Sequence, residues 1–130
     1  MESAQKSLRH GKERKMDRFV IELSFSKIEI EVTDVGKDKL VLVMGGEKPH
    51  IGCTVVAIPR PSLTENGSIS VTSSVINVTG HKDEAICRII AERFATRFSC
   101  IVTCTGGFHM DNITQSQLDE IQKKINCFNV

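Results

Sequence analysis

Five strand-like runs in succession come before the first helical stretch, and that order limits the fold more than any other feature of the 130 residues. Phe19, Ile21, Leu23 and Phe25 alternate with polar residues, and Ile28, Ile30 and Val32 alternate with Glu29, Glu31 and Thr33. Period two on neighbouring runs predicts a β-hairpin turning near Ser26-Lys27. Leu40 to Met44 is short and continuously apolar, as expected of a strand covered on both faces. Cys53 to Ile58 repeats that character up to Pro59-Arg60-Pro61, and Ser68 to Val78 forms a Ser/Thr-rich fifth run after the Asn66-Gly67 turn signal.

The period then changes. Ala85, Ile86, Ile89, Ile90, Phe94, Ala95 and Phe98 recur at three and four, with Asp83 and Glu84 in the first turn where a helix dipole favours anions. Cys100 to Thr105 predicts a sixth strand, and Gly106 to Asn112 a loop. The last helix carries its own start signal: Thr114 as cap, Gln117 completing a capping box, Ile113 and Leu118 as a hydrophobic staple, and Ile121 and Ile125 continuing the stripe. A strand, helix, strand unit requires a parallel crossover, so the strands ending at Val78 and Thr105 are expected to be parallel neighbours or nearly so. The fold class is α+β: one domain, a mixed sheet of about six strands with an N-terminal antiparallel hairpin, a C-terminal βαβα unit and two helices packed on the sheet.

One domain of this length buries about two thirds of its unfolded surface. The domain reading is a basic arm over 1–18 and a single α+β domain over 19–130. The arm carries +3, the remainder −2, and the whole chain +1, which gives no electrostatic case for nucleic acid. The six phenylalanines show no base-stacking pattern, and Tyr and Trp are absent. No run reaches the length of a membrane span, and the arm lacks the apolar core of a secretory signal. Five cysteines, with no CxxC pair, suit a reducing cytoplasm. Cys53 reads as strand packing rather than a nucleophile, and GxGxxG, Walker and GxSxG patterns are missing.

Three of the four histidines share one local grammar of strand end, glycine and His. They are Gly45-Gly46-Glu47-Lys48-Pro49-His50, Gly80-His81-Lys82-Asp83 and Gly107-Phe108-His109-Met110-Asp111. If the strand ending at Met44 runs parallel to the sixth, all three imidazoles meet at one rim of the sheet, beside helix starts, where α/β proteins bind ligands. Two chemistries fit. A metal could take His50, His81, His109 and a carboxylate such as Asp83, as in a small metal-dependent hydrolase or lyase. An anionic ligand could instead rest on helix N-terminal amides, Lys82 and the glycine turns, with the histidines as hydrogen-bond partners.

In their order and spacing these three motifs, with Ile51-Gly52 after the first and Asn112-Ile113-Thr114 after the last, resemble the prenylated-flavin chaperones, the LpdD-like D subunit that accompanies gallate decarboxylase. The likeness runs from about Val41 onward; Cys53 and Phe108 depart from the pattern in side-chain size. It implies a fold similar to proteasome assembly chaperones and a non-catalytic cytoplasmic helper, usually a homodimer. Such a helper holds prenylated FMN, or FMN, and delivers it to a UbiD-type decarboxylase. Carried over by position, His50, His81, His109, Gly45, Gly46, Gly52, Gly107 and Asp111 form the cofactor pocket, with Lys82 a candidate for the phosphate and no catalytic residue. A chaperone that binds only protein is the remaining alternative.

Overall fold

The computed structural model describes residues 16–61, 67–78 and 82–130, Lys82 by its backbone alone. Its elements are β1 (Met16–Glu22), β2 (Lys27–Val35), β3 (Asp38–Gly46), β4 (Cys53–Pro61), β5 (Ile69–Asn77), α1 (Lys82–Phe98), β6 (Val102–His109) and α2 (Gln115–Cys127). The strands form one six-stranded sheet in the order β1-β2-β3-β6-β4-β5. Every neighbouring pair is antiparallel except β3 and β6, which are parallel. The fold is therefore α+β with a mixed sheet and an antiparallel N-terminal hairpin, as the alternation predicts.

Alternate residues of the strands are buried in one core with the helices: Ile28, Ile30 and Val32 on β2, Val41 and Val43 on β3, Cys53, Val55 and Ala57 on β4, Val102 and Cys104 on β6. Ile86, Ile90, Phe94 and Ala95 bring the apolar stripe of α1 to that face, and Ile121 and Ile125 that of α2. Phe94 is wholly enclosed, with Phe19, Phe98 and Phe128 around its ring at centroid distances of 6.0, 6.1 and 6.4 Å. Burying a side chain of that size contributes about 2–3 kcal/mol.

Four sequence expectations shift. The first hairpin turns at Leu23–Ser26, where Leu23 N–H donates to Ser26 O at 2.9 Å, rather than at Ser26-Lys27. The chain leaves β1 early because Ser24 is held from outside the hairpin: its backbone N–H and hydroxyl donate to the two Glu120 carboxylate oxygens on α2, at 2.6 and 2.5 Å.

The glycine pairs are strand, not loop. Gly45 and Gly46 end β3 opposite Phe108 and His109, and Gly106 and Gly107 lie inside β6 opposite Val43 and Met44. The two strands approach so closely that a Cβ on Gly106, whose φ is +139°, would lie 1.8 Å from Val43 O. Only glycine keeps both that dihedral and that contact.

β5 and β6 run the same way but are not neighbours, since β4 lies between them, antiparallel to both. β4 itself passes through Pro59 to Pro61. Lys39 N–H donates to Ile101 O, so odd residues of β6 face β3 and even ones face β4. Val102 and Cys104 oppose Ala57 and Val55, which turns the odd residues of β4 toward β6. Pro59 and Pro61 continue that odd series past Ala57, where the pairing with β6 has ended, and so their missing N–H groups remove no ladder bond.

Candidate functional site

β3 and β6 end side by side, so the residues that follow one and close the other share a rim of the sheet. The backbone seals this join: Gly46 pairs with His109, and Glu47 N–H donates to His109 O at 2.8 Å. From there the chain crosses Lys48, Pro49 and His50 to Gly52, whose N–H donates to Gly106 O at 2.9 Å. The loop is thus tied at both ends to β6, and the His50 and His109 rings meet edge to face with centroids 5.7 Å apart.

Beneath them lies Asp83, in the first turn of α1 and 2% exposed, the one buried charged side chain among the described residues. Its Oδ1 accepts the Phe108 N–H at 2.8 Å, which clamps the helix start to β6. Its Oδ2 lies 3.4 Å from His50 Nε2, near enough for charge attraction but not aligned for a hydrogen bond. His50 Nε2 is accordingly a buried polar atom without a hydrogen-bond partner. Such atoms are uncommon in folded proteins, where a buried nitrogen is ordinarily satisfied by a protein group or a water.

Two missing side chains make room for this pair. A Cβ on Gly52 would stand 2.0 Å from Asp83 Oδ2, and one on Gly107 would be 3.0 Å from both Asp83 Oδ2 and His50 Nε2. Any larger residue at either place displaces the aspartate or the imidazole.

The outer edge of the site is charged. His109 Nε2 donates to Asp111 Oδ1 at 3.0 Å, which leaves the lone pair of the ring on Nδ1. Lys48, 70% exposed, reaches Asp111 Oδ2 at 3.8 Å. The His109 hydrogen bond, and after it the Lys48 ammonium, hold the Asp111 carboxyl below the ordinary carboxylate range. Gly45 and Gly46 fall slightly to the side, lining a depression of about 220 Å³ with Lys27, Glu29, Met44 and Pro49.

The structure therefore brings together His50, His109, Gly52, Gly107 and Asp111, with Gly45 and Gly46 adjoining. His81 lies outside the described residues, as does the side chain of Lys82. Among the described residues no three His, Cys, Asp or Glu groups are arranged to hold a metal ion. Cys53, next to Gly52, is fully buried, and burial followed by the neighbouring Cys87 thiol pushes its thiol up to about 12, a packing residue rather than a nucleophile. Larger grooves lie away from the rim, such as one of about 670 Å³ between Ile89, Arg97 and Asn129. The Arg93 guanidinium at that groove is occupied by the carbonyls of Phe128 and Asn126.

Sequence reading gave Asp83 a place in the first turn of the helix and a metal-ligand alternative, and gave Lys48 no part in the site. A usable signal existed for Lys48, the only cation in the His50 loop.

Comparison with known proteins agrees with this arrangement of motifs. The profile of the family described as "Prenylated flavin chaperone LpdD-like domain" matches residues 24–128. The chain belongs to that family. It is 28% identical over 103 residues to Protein LpdD of Lactiplantibacillus plantarum, a match covering 79% of this chain and 72% of that protein. Among solved structures it is similar to a chain of a novel chaperone complex for yeast 20S proteasome assembly. That likeness has a TM-score of 0.48 and 22% identity, over 85% of this chain and 91% of the other. Among the described residues of this LpdD-like chain no helix is long and apolar enough to cross a membrane.

Proposed function

We propose that the chain is a non-catalytic carrier that holds prenylated FMN, or FMN, against the rim formed by the 47–52 loop and the end of β6. In this reading it hands the cofactor to a UbiD-type decarboxylase in the cytoplasm and works as a homodimer. The observation that carries the reading is the pair of half-exposed rings, His50 and His109, 5.7 Å apart at the rim, with His50 seated on buried Asp83 in the space that Gly52 and Gly107 leave for it. Family membership supports the class of ligand.

The donor set fits a flavin. An isoalloxazine edge presents an imide N–H and carbonyl oxygens, and His109 offers an Nδ1 lone pair while Lys48 offers an ammonium. His50 supplies a second imidazole whose fully buried nitrogen is Nε2. Gly45, Gly46 and Pro49 line a shallow depression beside the rim, together with Lys27, Glu29 and Met44. For the phosphate, the amides that open α1 and the Lys82 and Lys48 ammonium groups are the candidates. His81 completes the set as the third imidazole.

Bound cofactor supplies the chemistry only after transfer; the protein's own task is to shield and release it. No Tyr or Trp is available for an aromatic sandwich, so the grip is polar and reversible. The test is a titration of the purified chain with prenylated FMN and with FMN, followed by absorbance. Saturable binding that His50→Ala and His109→Ala each weaken at least about tenfold, the worth of one good hydrogen bond, supports the carrier. Stoichiometric zinc or iron that His50→Ala removes would identify the metal-dependent enzyme instead.

A further inference from the structure

The two edges of the sheet are built differently. β1 carries Asp17, Arg18 and Glu22, charges that discourage a further strand. β5 has nine residues, Ile-Ser-Val-Thr-Ser-Ser-Val-Ile-Asn, with no charge and no proline, and among the described residues nothing pairs with its outer side. A long uncharged edge of this kind is a template for another strand.

The direction of its amides follows from its neighbours. Odd residues of β4 face β6, so even ones face β5, and β4 and β5 pair even with even. Val78 N–H donating to Gly52 O at 2.9 Å agrees. Ile69, Val71, Ser73, Val75 and Asn77 therefore turn their N–H and C=O groups to the free edge.

We propose that β5 pairs antiparallel with β5 of a second copy, about a two-fold axis at Ser73, to make one continuous twelve-stranded sheet. The strand is its own complement in that register. Ser73 meets its copy as a hydrogen-bonded pair, Val71 meets Val75, and Ile69 meets Asn77, all through residues whose amides already point outward. An axis at Ser73 is isologous and closes the assembly at two chains. On the open face, Ser74 meets the copy's Thr72, whose hydroxyl accepts from Arg60 Nε at 2.9 Å. On the helix face, the Ser73 hydroxyl donates to Glu92 at 2.9 Å, and Arg88 lies 3.4 Å from the same carboxylate, so the axis brings no unpaired charge to that side.

The inference deepens the homodimer of the proposed function and is independent of the ligand. Light scattering of the full chain tests it, with a two-chain mass expected. Ser74→Lys sets an ammonium against the copy's Arg60 and weakens the dimer roughly tenfold or more, whereas Ser74→Glu at the same exposed position does not. In a Cys127→Ser background, Ser73→Cys forms an intermolecular disulfide under diamide, since hydrogen-bonded antiparallel partners stand about 5.5 Å apart at Cα. A monomer at 100 micromolar or so overturns the proposal. So does a dimer that ignores Ser74→Lys and yields no Ser73 cross-link, which would move the contact to another surface. Flavin binding measured on the same samples reports on the carrier separately: a chain that dimerises this way yet binds no flavin refutes only the carrier.

Discussion

Removing the Asp83 carboxylate leaves the Phe108 N–H without an acceptor in a buried place and the His50 ring without its neighbouring charge. Asp83→Ala is expected to lower unfolding stability by about 1–3 kcal/mol in a urea titration. Asp83→Asn keeps an acceptor for Phe108 and should recover most of that loss while flavin affinity stays reduced. A full recovery of both would mean the carboxylate acts only as a clamp. Gly107→Ala adds a methyl 3.0 Å from Asp83 Oδ2 and His50 Nε2, a crowding expected to cost about 1–3 kcal/mol and to weaken ligand binding with it. The meeting of His50 and His109 was legible in the sequence because each lies close to a glycine near the end of a strand-like run. Asp83 was not legible as their support, because its role depends on the start of α1 docking onto β6. That contact joins residues 25 apart and leaves no local pattern.

At the scale of elements, α2 shows what local rules can reach. Thr114 and Gln117 form the reciprocal capping box, with Gln117 N–H donating to Thr114 Oγ1 at 3.1 Å and Thr114 N–H to Gln117 Oε1 at 2.9 Å. Thr114→Ala should cost about 1 kcal/mol in thermal or urea denaturation. The same helix pins the first hairpin through Glu120, whose carboxyl is held below its ordinary range chiefly by the Ser24 hydroxyl and then by the Ser24 N–H. A carboxyl depressed in the folded state contributes stability above its unfolded value and loses it as the pH falls through the folded one. Glu120→Gln should therefore lower the melting temperature at pH 7, with the gap to the parent closing below roughly pH 4. An equal gap at both pH values would mean the charge of Glu120 is irrelevant to the tie. The glycine-bearing strand ends resisted sequence reading for a physical reason. Glycine pairs ordinarily end strands, but here β3 and β6 close on each other through Gly106 so tightly that no Cβ fits.

Among the described residues, six strands and two helices share one core, and the rim site is a consequence of sheet order. Had β6 paired with β5, as the crossover alone suggests, His109 and His50 would stand on separate strand ends. Its insertion between β3 and β4 puts them 5.7 Å apart at their ring centroids. That insertion is a long-range choice. It was foreseeable only as the condition that β3 run parallel to β6, which the structure meets. The account is tested most directly by titrating purified protein with prenylated FMN and comparing the parent with His50→Ala. It predicts one cofactor per chain for the parent and an affinity lower by at least about tenfold for the variant with its fold intact. Equal affinity in both, or no binding by the parent, would contradict it.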